Sequence, residues 1–281
     1  MPYLYATAIS THQTGTPMMR PLFFEFPEDR NAWTVDEAYM LGESLYVAPV
    51  FSGSNSDAIG SGGYSAAGSS FAPDHSSEAK TLATESAAGK ASVQVYIPPG
   101  DWFSLFTGEF FTGPSWSIQQ HGYDSVPLLL RPGHAIVLSG GAPVDFYFDE
   151  KGVWRLRDLS ETKVNERAWR GDGEFKARGA EYDYSTGVTV LVNISRPPPS
   201  ALGGTENKTA AINLKLAVPD SRDERLGENV AELRVWENES GKVSVEVVNG
   251  ELKGEWRVVK VGKGIDVVQS VAGQGQKLLE V

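Results

Sequence analysis

The feature that most constrains this chain is a strict alternation of apolar and polar residues in short runs. Val243, Val245 and Val247 stand against Ser244 and Glu246, and side chains two apart share one face of a β-strand. Such a run offers one face to a core and one to water, the habit of antiparallel sheets. Comparable β-branched or aromatic runs bounded by Gly and Pro recur at 44–51, 91–97, 102–106, 126–130, 144–147, 187–192, 211–218, 231–236, 255–261 and 265–269. Short strands at this spacing predict a mainly β protein built from antiparallel β-sandwich domains.

The first fifty residues read differently. Leu4, Ala8 and Ile9 fall close to helical spacing in residues 1–11, and Gly15 and Pro17 end that helix. Residues 18–24 are nearly continuous apolar sequence, broken only by Arg20 and Pro21. A strand without alternation is one buried on both faces, as in parallel sheets, and parallel strands need crossover helices and parallel neighbours. One helix and one such strand, with nothing else of that kind, look like the end of an α/β domain.

Residues 52–90 are dominated by Gly, Ser and Ala and hold few large apolar groups. They cannot bury a core, and the expectation is a long surface insertion in a hairpin connection. Ser-Gly-Gly-Ala-Pro at 139–143 marks a second boundary, and the prolines at 197–199 make a stiff connector. The expected segments are therefore 1–43, 44–140 with the 52–90 insertion, and 141–281.

Composition excludes several function classes. The formal charge of −11 repels phosphate backbones and anionic lipid, so neither nucleic acid nor a membrane surface is an expected partner. There are no cysteines, which removes disulfides, thiolate catalysis and Cys-based zinc sites. His12, His75, His121 and His134 lack the spacing of a metal motif, so no metal is expected. Gly60, Gly62 and Gly63 lie in low-complexity sequence without the Lys-Ser/Thr of a phosphate loop.

Several pieces in fixed order carry a resemblance. They are Gly15-Thr-Pro-Met-Met-Arg-Pro-Leu22, Glu25-Phe-Pro27 with Asp29, Tyr39-Met-Leu-Gly42 and Leu45-Tyr-Val-Ala-Pro-Val50. Tyr96-Ile-Pro-Pro-Gly-Asp-Trp102, Phe106-Thr-Gly108 and Pro127-Leu-Leu-Leu-Arg-Pro-Gly133 follow. Over some 130 residues this resembles family 31 glycoside hydrolases. Trp116, Gln119-Gln-His-Gly122 and Ser125-Val-Pro127 look more like the α-xylosidase branch than the α-glucosidases.

The resemblance implies an organisation. Residues 1–43 would be the last helix and strand of a (β/α)₈ catalytic barrel, 44–140 a proximal C-terminal β-domain and 141–281 a distal one. It implies a retaining mechanism between two Asp residues, which removes terminal α-xylosyl or α-glucosyl groups without a cofactor. Both aspartates belong to upstream barrel strands, so no catalytic residue is expected in this chain, which would be inactive alone. Its partner would be the N-terminal barrel part of the same enzyme, through which it meets an oligosaccharide.

Arg20 and Glu25 are the candidates for the barrel rim, although an arginine in a buried strand is more often paired with a carboxylate for structure. Glu25, Glu28, Asp29, Asp36 and Glu37 read as solvated loop carboxylates. Trp102, Phe103, Phe106, Phe110, Phe111 and Trp116 can stack on sugars, but at strand spacing they are more often core. Asn193, Asn207 and Asn238 open Asn-x-Ser/Thr sequons, expected at strand ends or loops, which points to a secreted, extracellular glycoprotein. The rival readings are a stand-alone carbohydrate-binding β-protein and a purely structural β-sandwich module.

Overall fold

The computed structural model describes residues 1–51, 91–122, 125–139, 146–148, 154–156, 185–195, 212–220, 229–238 and 242–281. The expected insertion at 52–90, the connector at 197–199, Asn207 and His75 lie outside the described residues. The chain divides into two compact units: Met1–Thr16, Gly133–Ile194 and Lys208–Val281 in one, Pro17–Pro132 and Ser195–Asn207 in the other.

The second of these is built on one antiparallel sheet. Its strands are β1 (Met19–Pro21), β2 (Tyr39–Leu41), β3 (Leu45–Val47), β4 (Ala91–Ser104), β5 (Phe110–His121) and β6 (Leu128–Leu130). They run in the order β1-β2-β3-β6-β4-β5. This corrects the reading of residues 18–24 as a parallel barrel strand, because Met19–Pro21 pairs antiparallel with Tyr39–Leu41. Pro21 is the physical reason: it has no N–H to give to a ladder, and proline in a sheet is confined to edges. Beyond it the chain turns into the short helix α2 (Leu22–Glu25), which buries Leu22 and leaves Phe23 and Phe24 about half exposed.

The expected strands at 91–97 and 102–106 merge into β4, whose register with β5 shifts between Ile97 and Gly100. The shift lets the sheet fold over itself. Tyr46 of β3 donates its hydroxyl to the Tyr96 carbonyl at 2.8 Å, and Val95, Tyr96 and Ile97 share a core with Met40, Tyr46, Trp102 and Leu129. Trp102 meets Phe26 and Tyr46 edge-on and donates its indole N–H to the Pro98 carbonyl at 2.8 Å. A single folded sheet thus does the work expected of two packed ones.

Strand β5 is not among the strand runs picked out from the sequence. Its Gly113 is required by packing. A Cβ there would lie 2.1 Å from the Pro98 carbonyl oxygen and 2.3 Å from that of Ile97.

The other unit is a sandwich. One sheet orders β15 (Ile265–Ala272), β14 (Trp256–Gly262), β10 (Thr189–Asn193) and β7 (Ala135–Leu138). The other orders β11 (Asn213–Pro219), β12 (Val230–Glu237), β13 (Val243–Asn249) and β16 (Leu278–Glu280). Val243, Val245 and Val247 point inward with Leu233 and Val235, against Val190, Val192, Trp256 and Val258 of the facing sheet. Two points differ from expectation. β7 pairs with β10, so the units divide near 133 rather than 140. And β10 pairs with β14 in parallel, because three strands of alternating direction in the facing sheet separate them. β8 (Phe146–Phe148) pairs antiparallel with β9 (Trp154–Leu156).

Helix α1 (Pro2–Thr14) ends as expected at Gly15, which adopts φ 74° and donates its N–H to the Thr11 carbonyl. It packs on β7 and β11.

Gly113→Ala should destabilise the Pro17–Pro132 unit by at least about 2 kcal/mol, since two carbonyls must move to admit one methyl group. Thermal melts compared with Gly108→Ala, whose glycine has a left-handed φ of 72°, separate steric overlap from lost conformational freedom. An unchanged Gly113→Ala melt contradicts the folded-sheet packing.

Candidate functional site

The structure brings both rim candidates into one charged cluster around Glu25. Arg20 on β1 contacts Glu25 Oε1 at 2.5 Å through one guanidinium nitrogen, while its Nε donates to the Pro17 carbonyl. Arg131, just past β6, contacts Glu25 Oε2 at 2.8 Å and donates to the Glu43 carbonyl at 3.1 Å. All three side chains are largely buried, and Arg131 lies over the Phe26 ring at 4.7 Å. Glu25 therefore clamps α2 to the segment just past β6, 106 residues away. With both oxygens engaged by guanidinium groups, this carboxylate is fixed in place.

The other flagged carboxylates separate. Asp29 is no solvated loop acid: its Oδ2 accepts the Tyr96 hydroxyl and its Oδ1 accepts the Asn31 N–H at 3.1 Å. That second bond caps the 3₁₀ turn Arg30–Trp33. Burial, then the hydrogen bond to Asp29, pushes the Tyr96 phenol well above its ordinary range, against a smaller opposing effect of the Asn31 side chain. Tyr46 is pushed up by burial and by Tyr96. Both phenols stay protonated and serve as donors. Glu28 and Asp36 are exposed, as expected. Glu37 is half-buried, and burial, then the neighbouring charge of Asp36, raises its carboxyl above the usual range.

The aromatic candidates are mostly core. Trp102 and Phe103 are fully buried, and Trp116 packs on Tyr96 with ring centres 5.3 Å apart. Phe106 is the most exposed of that set. Trp33, missed in the sequence reading, is far more open at 64% exposed. His121 is buried between Ser125 and Gln119, with each ring nitrogen 3.2 Å from an oxygen. Among the described residues no three His, Asp or Glu side chains gather as metal ligands, and no helix is long and apolar enough to cross a membrane.

The sequons need a correction. Asn193 is 0% exposed within β10, where a glycan has no room to project. Asn238 lies just past β12, its side-chain oxygen accepting the Lys242 N–H at 2.9 Å.

With the folded sheet and its clamp described, the comparisons with known proteins define the class. Residues 15–60 and 81–136 match the model of the glycosyl hydrolase family 31 C-terminal domain, and this part of the chain belongs to that family. The α-xylosidase of Emericella nidulans is 35% identical over 140 residues, covering 47% of this chain and 13% of that protein. The α-xylosidase of Saccharolobus solfataricus is 26% identical over 200 residues, covering 69% of this chain and 21% of that protein. A solved structure, the family 31 α-xylosidase of Xanthomonas citri, shares the fold. It aligns over 100% of this chain and 23% of its own at a TM-score of 0.52 and 15% identity. The chain thus spans only a small fraction of these relatives.

Replacing Glu25 by Gln leaves two neighbouring guanidiniums without their shared anion and should cost about 3 kcal/mol of stability. Denaturant melts check this, and a loss near zero shows that solvent already supplies what Glu25 does.

Glu37→Gln should act in the opposite direction. A carboxyl whose folded value is raised is destabilising once ionised. The variant should therefore be more stable than the parent at pH 7, and the two should converge well below the ordinary glutamate value, where Glu37 is protonated folded and unfolded alike. Melting temperatures at pH 3.5 and 7 test the sign.

Proposed function

We propose that this chain is the C-terminal portion of a retaining α-glycoside hydrolase acting on terminal α-xylosyl or α-glucosyl groups, and that it braces the catalytic barrel rather than performing chemistry. The observation that carries the reading is the family match over 15–60 and 81–136. The matched domain begins at residue 15, so α1 stands before it, where the end of a barrel is expected. Met19, Phe23 and Phe24, about half exposed along one edge of the sheet, offer an apolar surface suited to such a neighbour. The α-xylosyl reading is favoured over the α-glucosyl one by 35% identity to a fungal α-xylosidase against 25% to a bacillar α-glucosidase, each over about half of the chain.

Chemistry in such an enzyme needs two carboxylates about 5–5.5 Å apart, both free to act on the sugar. Glu25 and Asp29 are instead committed to Arg20, Arg131 and Tyr96, which supports a bracing role. The sequons at Asn207 and Asn238 support a secreted enzyme.

A chimera tests the role. The Emericella nidulans α-xylosidase carrying residues 15–136 in place of its matching segment should keep turnover of an aryl α-xyloside. This chain alone should show none. Turnover by the isolated chain, or a chimera that folds but is inactive, overturns the bracing reading.

A further inference from the structure

Asn249-Gly250 is the one Asn-Gly pair in the sequence, and the fold dictates its glycine. β13 ends at Asn249, opposite Glu232 of β12, where the register of the two strands shifts. The chain then passes through Gly250 at φ 72°, a left-handed value that glycine adopts without steric cost. Space asks for glycine as well. A Cβ there would lie 3.0 Å from the Ala231 Cα and 3.3 Å from the Val230 carbonyl oxygen. The turn thus sets a residue without a side chain directly after an asparagine.

That turn places a nucleophile beside an electrophile. The Gly250 N–H donates to Asn249 Oδ1 at 2.9 Å, which holds the backbone nitrogen next to the side-chain amide carbon. Both residues are exposed, so water reaches them. Among the described residues nothing bonds the Asn249 side-chain nitrogen, the group that has to leave. The other described asparagines lack this combination. Asn31, Asn213, Asn229 and Asn238 each precede a residue whose Cβ crowds the nitrogen, and Asn193 is fully buried.

We propose that Asn249 is a site of spontaneous deamidation, which yields aspartate and isoaspartate at this turn in the folded chain. The Gly250 amide gives its proton to hydroxide, and its nitrogen forms a bond to Asn249 Cγ. The Cγ–Nδ2 bond breaks, and ammonia leaves with a proton from water, which restores the hydroxide. Water then opens the resulting succinimide at either carbonyl, giving aspartate or isoaspartate. No oxidant, reductant or cofactor takes part, and the step is independent of the enzyme class proposed above. The product carries a carboxylate where a neutral amide stood, opposite Glu232, which sets like charges across the β12–β13 pair.

The test is peptide mapping by mass spectrometry of the whole chain held at pH 6 and at pH 9, with isoaspartate read by enzymatic methylation. The peptide holding residue 249 should gain the mass of an amide turned into an acid. It should do so at least about tenfold faster than any other asparagine peptide, because its nitrogen is already in place. The rate should be higher at pH 9, where hydroxide is more abundant, and isoaspartate should be present. Asn249→Gln, whose longer side chain disfavours the ring, should keep the parent's melting temperature and lose methylation at this site. A folded chain that stays unmodified at residue 249 while the urea-unfolded chain reacts there overturns the proposal, since the fold would then block the attack. So does aspartate formed without isoaspartate, a rate indifferent to pH, or a rate no faster than at the other asparagines.

Discussion

The Pro17–Pro132 unit depends on one close approach, that of the Gly113 backbone to the carbonyls of Ile97 and Pro98. Any side chain there would hold β4 and β5 apart where their register shifts. Without the shift, 91–97 would continue away from β2 and β3 instead of covering them. The core of Tyr46, Tyr96, Trp102 and Leu129 exists because the sheet can fold at this point. Each of these large side chains, once buried, contributes roughly 1.5–3 kcal/mol, so a steric allowance of one hydrogen atom governs a substantial part of the unit's stability.

The polar network follows from that core. Tyr96 sits in the folded-over segment, and its hydroxyl reaches Asp29, 67 residues earlier in the chain. Asp29 then caps the turn that carries Trp33. A buried phenol kept protonated makes a durable donor to a carboxylate, and a carboxylate so held makes a durable cap. The Glu25 clamp also spends charge on position, one anion holding two cations, Arg20 on β1 and Arg131 just past β6. Both devices commit charged groups to architecture.

Several of these features were legible in the residues. The helix cap at Gly15, the alternation in β12 and β13, and the core role of Trp102 and Phe103 all follow from short-range rules. The order of the motifs from Gly15 to Gly133 pointed to the family whose model matches 15–60 and 81–136. The miscast segments share one cause. Residues 18–24 look like a buried strand because Met18, Met19, Leu22, Phe23 and Phe24 are apolar, yet Pro21 alone shows that the run is an edge. β5 was not among the runs picked out, and the role of Gly113 shows only in its contact with the Ile97 and Pro98 carbonyls. Asn193 matched a glycosylation triplet that reports nothing about burial.

By itself, the sequence determined the periodicity of the strands, the ends of the first helix, the lack of thiol chemistry and the family, because each is written in residues close together. The tertiary structure alone decided that Glu25 meets Arg131 as well as Arg20, that Asp29 accepts from Tyr96, and that β10 and β14 run in parallel. It also decided that Trp33 faces outward while Trp102 is sealed within. The physical reason is that burial and pairing are properties of groups brought together from distant positions. A carboxylate or an indole has the same local sequence signature whether it meets water, a guanidinium or a sugar.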